Sequence, residues 1–186
     1  ESFRELLCLC ECERGGAVSE RGGVELRYKR SASQPIVLNI ERVCRPSAPM
    51  SNLASSSEGA EAISATSSDP RFPVSNVLDS DAKTMWITTG LFPQEFIIAF
   101  PSTVTIARIH TQTRNVREMC VEYCNLEKPT SFETMYGPIE IRDPGTGLQI
   151  ETQQFKPVNC RFIKFKILSG WHDFAVVYKL EAEGSM

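Results

Sequence analysis

Apolar residues recur at every second position through much of this chain from Ala60 onward, and that period sets the fold class. Phe96, Ile98 and Phe100 share one face of a run, with Ile97 and Ala99 on the other. Val104 and Ile106 alternate with Thr103 and Thr105. Ile163, Phe165 and Ile167 alternate with Phe162, Lys164 and Lys166, and Val176, Tyr178 and Leu180 with Val177, Lys179 and Glu181. A period of two is the strand signal. Lysines at 164 and 166 put one face of their strand toward water, as antiparallel sheets allow. Phe92-Pro93, Lys128-Pro129 and Asp143-Pro144-Gly145-Thr146-Gly147 supply the turns between runs. No stretch sustains a 3.6 period. One short helical turn is expected at Val74–Leu78, because Pro73 suits a first-turn position and Val74, Val77 and Leu78 cluster on one side. Short strands with almost no helix predict a β-sandwich of Greek-key or jelly-roll type.

Composition narrows the function. Hydrophobic residues are 41% and charged residues 23% of the 186, so the chain is globular rather than low-complexity. Apolar runs such as Phe96–Phe100 are far shorter than the roughly 18 residues of a membrane-spanning helix. A net charge of −3 with no basic stripe argues against nucleic acid as the main partner. Seven cysteines at irregular spacing make a poor disulfide framework, and no zinc-spaced Cys/His set occurs. Cys120, Cys124 and Cys160 therefore read as small hydrophobes on strands, in a reducing compartment.

The composition breaks near Met50. Residues 1–49 carry four of the cysteines, three of them in Cys8-Leu9-Cys10-Glu11-Cys12, and their apolar bursts are separated by two Gly-Gly pairs. They read as a poorly structured, non-native extension, with Met50 as the natural initiator and residues 50–186 as the folded domain. The Cys8/Cys10/Cys12 spacing permits soft-metal thiolate chemistry. No further ligands follow at useful spacing.

Asn76-Val77-Leu78-Asp79-Ser80-Asp81-Ala82-Lys83-Thr84 is the most suggestive segment. It offers hard oxygens at 76, 79, 81 and 84: an amide, two carboxylates and a hydroxyl. Calcium takes six to eight oxygens in flexible geometry, with main-chain carbonyls completing the count. The EF-hand pattern is absent, since a count from Asp79 puts Thr84 where the loop needs Gly and Gly90 where it needs Glu. A solvated Asx turn at a helix end is the alternative. Trp86 reads as a core anchor. His172 beside Asp173 has no Ser or Cys nucleophile motif with it, so Trp171-His172-Asp173-Phe174 reads as a turn before the last strand.

Several segments then look familiar together: Ser55-Ser56-Ser57-Glu58-Gly59, Ala65–Asp69, Asn76–Asp79, the run Thr84–Ile98 with Thr88-Thr89-Gly90-Leu91-Phe92-Pro93-Gln94-Glu95-Phe96 at its centre, and Ala182-Glu183-Gly184. Over about residues 53–185 the chain resembles the intraflagellar transport protein 25 family, also called heat shock protein beta-11. The resemblance implies an all-β, discoidin-like (galactose-binding-like) jelly roll with a short helical turn. It implies a non-catalytic subunit of intraflagellar transport complex B, bound to a Rab-like small GTPase (the 27 kDa subunit) and to other complex B subunits. It implies residence in the cytoplasm, cilium and ciliary basal body, and support for export of the BBSome and hedgehog components. It also implies a structural calcium ion. Asn76, Asp79 and Thr84 match the family's calcium motif, Asp81 supplies a main-chain oxygen, and Glu183 on the last strand closes the site.

A carbohydrate- or lipid-binding discoidin-type module is the alternative, resting on fold class alone. Leu91, Phe92 and Trp171 at turn tips are the side chains such a ligand would stack on. The water-facing side of the Lys164/Lys166 strand is the candidate partner face. No α-crystallin domain is visible behind the heat-shock name.

Overall fold

The structure, a computed structural model, describes residues 51–79 and 81–186. The expectations for residues 1–49, for Met50 as initiator and for Cys8/Cys10/Cys12 lie outside the described residues. Among the described residues eight strands form: β1 (Ser51–Asn52), β2 (Glu61–Ala65), β3 (Trp86–Ile87), β4 (Gln94–Arg114), β5 (Val116–Cys124), β6 (Glu133–Glu140), β7 (Gln149–Gly170) and β8 (Val176–Ser185). The helical turn is a 3₁₀ helix over Val74–Leu78, with Val77 and Leu78 buried.

The separate runs at Phe96–Phe100 and Val104–Ile106 belong to one long strand. β4 pairs antiparallel with β7 from Gln94↔Ile167 to Thr113↔Gln149. Irregularities between Ala99 and Val104 and between Ile106 and Arg108 break that ladder, and such bulges bend a strand and raise its twist. The first half of β4 pairs with β2, and the second half with β8, which also carries β1 and β3. The strand path runs β1-β8-β4-β7-β5-β6. The bent β4 and β7 are thus shared by two layers that close on one core.

Aromatic contacts knit the core. Trp86 on β3 meets Phe96 on β4 edge to face, centroids 5.3 Å apart, and Phe96 stacks on its cross-strand partner Phe165 of β7 at 5.2 Å. Trp86 is fully buried, so its N–H needs a partner; Nε1 donates to the Ser67 carbonyl at 3.0 Å. Ile163, Phe165 and Ile167 are all fully buried, as the period predicts. Cys120, Cys124 and Cys160 are free, buried and on strands, also as expected.

Two local departures follow from bulges. In β8 the register slips between Gln112/Thr113 and their partners Lys179/Val177. Val176 and Val177 are both buried, Tyr178 and Lys179 are both half-buried, and the core face resumes at Leu180 and Ala182. The strict grouping of Val176 with Tyr178 and Leu180 is therefore corrected by one inserted residue. Near the other bulge, Gly184 lies against β4 so closely that a Cβ would sit 1.9 Å from the Thr105 carbonyl oxygen. Only glycine admits that approach.

Lys164 and Lys166 are also less wet than the alternation predicts. Their side chains keep 17% and 26% exposure. Lys166 Nζ reaches Glu122 at 3.1 Å, while Lys164 lies between Glu95 at 3.9 Å and Glu122 at 3.8 Å and over the Phe132 ring at 4.0 Å. The outer face of the sheet is a paired ion network rather than free cations.

Candidate functional site: an oxygen-lined loop and an end cavity

The loop after the 3₁₀ turn is built by local hydrogen bonding. Val77 and Leu78 anchor the turn in the core, and Asp79 ends it in extended conformation. Asp79 Oδ1 accepts from Asp81 N at 3.0 Å, and Asp81 Oδ1 accepts from Lys83 N at 2.9 Å. These are two consecutive Asx turns, the structure short acidic side chains favour. They bring Thr84 back beside the start of the loop. Asn76 Nδ2 donates to the Met85 carbonyl at 3.0 Å and straps the two ends together.

The Thr84 hydroxyl sits at the centre. Asp79 Oδ1 and Oδ2 lie 2.7 and 2.9 Å from it, the Asp81 carbonyl oxygen 2.9 Å, and the Asn76 carbonyl oxygen 3.5 Å. One hydroxyl carries one proton and satisfies one acceptor. Asp79 Oδ1 also accepts from Asp81 N, and the Asp81 carbonyl from Thr84 N at 3.4 Å, yet these few donors leave oxygen lone pairs and a carboxylate charge converging beyond what they satisfy. Such a surplus of hard oxygens suits a hard cation with flexible coordination, and calcium fits it. Soft metals are poorly served. Among the described residues no group of three or more His, Cys, Asp and Glu side chains comes together; the loop's set depends on main-chain oxygens instead.

The structure brings together four of the five residues singled out from the sequence. Asp79 contributes its carboxylate, Thr84 its hydroxyl and Asp81 its main-chain oxygen, while the Asp81 carboxylate is occupied with Lys83. Asn76 faces the cluster with its carbonyl; its amide group is the strap. Glu183 instead lies on β8 opposite Arg108, where its Oε2 accepts from Arg108 Nη1 at 2.8 Å.

A second feature was not visible from the sequence. Arg114 and Asn115 at the end of β4, Gly145 in the turn between β6 and β7, and His172, Phe174, Val176 and Tyr178 before and within β8 line a cavity of about 370 Å³. Asn115 holds a left-handed backbone, φ 62°, and its carbonyl accepts from Trp171 N at 2.9 Å. Positive φ outside glycine is uncommon, and Asn tolerates it best. The Trp171 side chain is already engaged. Its Nε1 donates to the Ile141 carbonyl at 3.0 Å, and the Arg117 guanidinium lies 5.1 Å from its ring centroid. Phe92 packs on Gly170, where an added Cβ would meet its ring at 2.5 Å. Phe174, for which no side-chain bond or ring contact is seen, is 47% exposed, and the aliphatic Leu91 at a separate turn is 90% exposed. The chain segments that line the cavity are some sixty residues apart in sequence, so no spacing signal could have joined them.

Among the described residues, His110 pairs with the Thr152 hydroxyl at 2.8 Å on an outer strand face, and no Ser or Cys side chain bonds a histidine. No helix among them is long and apolar enough to cross a membrane.

Comparison with known proteins agrees with this architecture. The F5/8 type C domain matches residues 62–180. Among solved structures, chitosan-binding module 1 from a chitosanase/glucanase of Paenibacillus sp. IK-5 superposes with a TM-score of 0.60 at 20% identity, covering 72% of this chain and 99% of that one. CpGH89CBM32-5 from Clostridium perfringens, in complex with GalNAc-β-1,3-galactose, gives 0.61 at 18% identity, covering 72% and 100%. At such identities the likeness is one of fold. Sequence similarity reaches further. Intraflagellar transport protein 25 of Chlamydomonas reinhardtii is 36% identical over 135 residues, covering 73% of this chain and 70% of that protein. The Homo sapiens homolog is 37% identical over 135 residues, covering 73% and 93%. A jelly roll with an F5/8 type C signature, 36–37% identical to these proteins over 135 residues, places the chain in the intraflagellar transport protein 25 family.

Proposed function

We propose that the chain is a non-catalytic subunit of intraflagellar transport complex B. It works in the cytoplasm, cilium and basal body, binds a Rab-like small GTPase subunit, and supports ciliary export of cargo that includes hedgehog components. The observation that carries this reading is the 36–37% identity to intraflagellar transport protein 25 over 135 residues. A structural calcium ion belongs to the same reading. Asp79, Thr84 and the carbonyls of Asn76 and Asp81 would hold it, with water completing the shell. It would pin the loop that leads into β3, and so the seat of Trp86. The sugar-binding alternative draws less support: the side chain best suited to stacking, Trp171, is spent on Arg117 and Ile141.

The test is co-expression of the full chain with the Rab-like small GTPase of the same organism, followed by size-exclusion chromatography. A one-to-one complex that survives the column is expected. Separate elution at micromolar concentration would overturn the GTPase-partner reading.

A further inference from the structure

The end cavity is unassigned by anything above. Its walls combine the apolar or aromatic Phe174, Val176 and Tyr178 with the basic side chains Arg114 and His172. Among the described residues Arg114 forms no ion pair, and neither do Arg142 and Arg161, whereas Arg71, Arg108 and Arg117 hold Asp69, Glu183 and Glu140; of the three unpaired arginines Arg114 is the one that lines the cavity. The acids nearest in sequence do not line the cavity: Asp173 is outside it, and Asp143 caps its own turn at Gly145 N, 2.8 Å away. An unpaired guanidinium and an exposed aromatic ring lining one cavity suit recognition of a carboxylate flanked by apolar groups, because the planar fork matches a carboxylate and the ring offers apolar area.

Part of the molecule's apolar exposure lies near the same end. Phe174 lines the cavity, 47% exposed. Leu148 and Ile150, 46% and 59% exposed, lie on the chain beside Gln149, whose register partner is Thr113, next to Arg114. Both sides of the surface are therefore present: an apolar rim and one free positive charge. Firm backbone supports it, since Asn115 and Trp171 are tied together and the buried Gln149 side chain bonds both Val116 N and Val116 O, at 2.9 and 2.6 Å.

We infer that this end of the sandwich is a docking site for a partner-protein segment that presents a carboxylate side chain flanked by apolar residues. The carboxylate pairs with the Arg114 fork, and the apolar neighbours cover Phe174, Leu148 and Ile150. This rests on the complex-subunit reading above and names the surface by which it is fulfilled. It moves the candidate partner face away from Lys164 and Lys166, whose charges are already matched by Glu95 and Glu122.

Two variants of the full chain test it, Arg114→Glu and Phe174→Ser, each co-expressed with the small GTPase subunit. A third, Lys164→Glu/Lys166→Glu, serves as the control face. Charge reversal at Arg114 should weaken binding by roughly 30-fold or more, Arg114→Lys should restore part of it, and rising salt should weaken the wild-type complex. Unchanged melting temperature and circular dichroism separate a surface effect from misfolding, and Phe174→Ser repeats the test without touching charge. Wild-type affinity in both end variants, or loss only in the lysine pair, overturns the docking site while leaving the subunit reading intact. A wild-type chain that forms no complex overturns both.

Discussion

Replacing Asp79 with Asn isolates the metal from the fold. The side chain keeps its shape and one carbonyl oxygen, so the turn bond from Asp81 N, 3.0 Å in the wild type, survives. What disappears is the carboxylate charge and one of the two oxygens that face Thr84. Without calcium, the loss of one charge-assisted bond costs about 1 kcal/mol. With calcium at a hundredfold excess over its dissociation constant, the wild type gains about 2.7 kcal/mol and the variant gains almost none. Unfolding entropy for the roughly 136 residues from Ser51 to Met186 is about 0.29 kcal/mol/K. The calcium shift in the wild type is then about 9 °C, and the variant's baseline fall in chelator is about 3 °C. Scanning calorimetry of both proteins, with calcium and with chelator, reads all four values. Asp79→Ala should likewise lose the calcium shift, from a lower baseline, because the Asx turn goes with it. Equal calcium shifts in wild type and Asp79→Asn would refute the ligand assignment.

Two further outcomes follow from packing and burial. Gly184→Ala should destabilise by at least about 2 kcal/mol, seen as a lower urea midpoint, since its Cβ collides with the Thr105 carbonyl and either β4 or β8 must shift; an unchanged midpoint would show that the strands move apart freely. Burial pushes the Cys160 thiol up to about 12 from an ordinary value of 9.0. At pH 8 its thiolate fraction falls roughly a thousandfold, so it should resist alkylation until urea opens the core. The sign of the linkage is fixed by the same displacement: the unfolded chain releases this proton above about pH 9 while the folded chain keeps it, so stability is intact below pH 9 and declines as pH rises toward 12. Cys160→Ala should flatten that part of the pH–stability curve, and an identical slope in both proteins would count against the burial.

Much of the fold was legible because strand periodicity is a local property. Phe96, Phe165 and Trp86 were identifiable as core residues from alternation and residue type, and the 3₁₀ turn from Pro73 and its apolar cluster. The failures have a common cause. β8 inserts one residue opposite Gln112/Thr113, so the grouping of Val176, Tyr178 and Leu180 breaks where a cross-strand register, invisible in the strand's own sequence, decides it. Lys164 and Lys166 read as solvated because nothing near them in sequence announces Glu95, Glu122 or Phe132.

The two surface features divide along the same line. Residues 76 to 84 determine their own loop: short carboxylates at 79 and 81 accept from main-chain N–H groups two residues on, and those bonds carry Thr84 to the oxygens of 76, 79 and 81. Every partner lies within nine residues, so the sequence alone was enough to find it, though not to tell that Asn76 turns its carbonyl rather than its amide to the centre. The end cavity has no such local logic. Arg114 and Phe174 meet only because β4 bends, pairs with β8 and ends beside the turn that precedes it. That proximity is a product of sheet register and two bulges, which form only when the distant strands dock and their shared core excludes water.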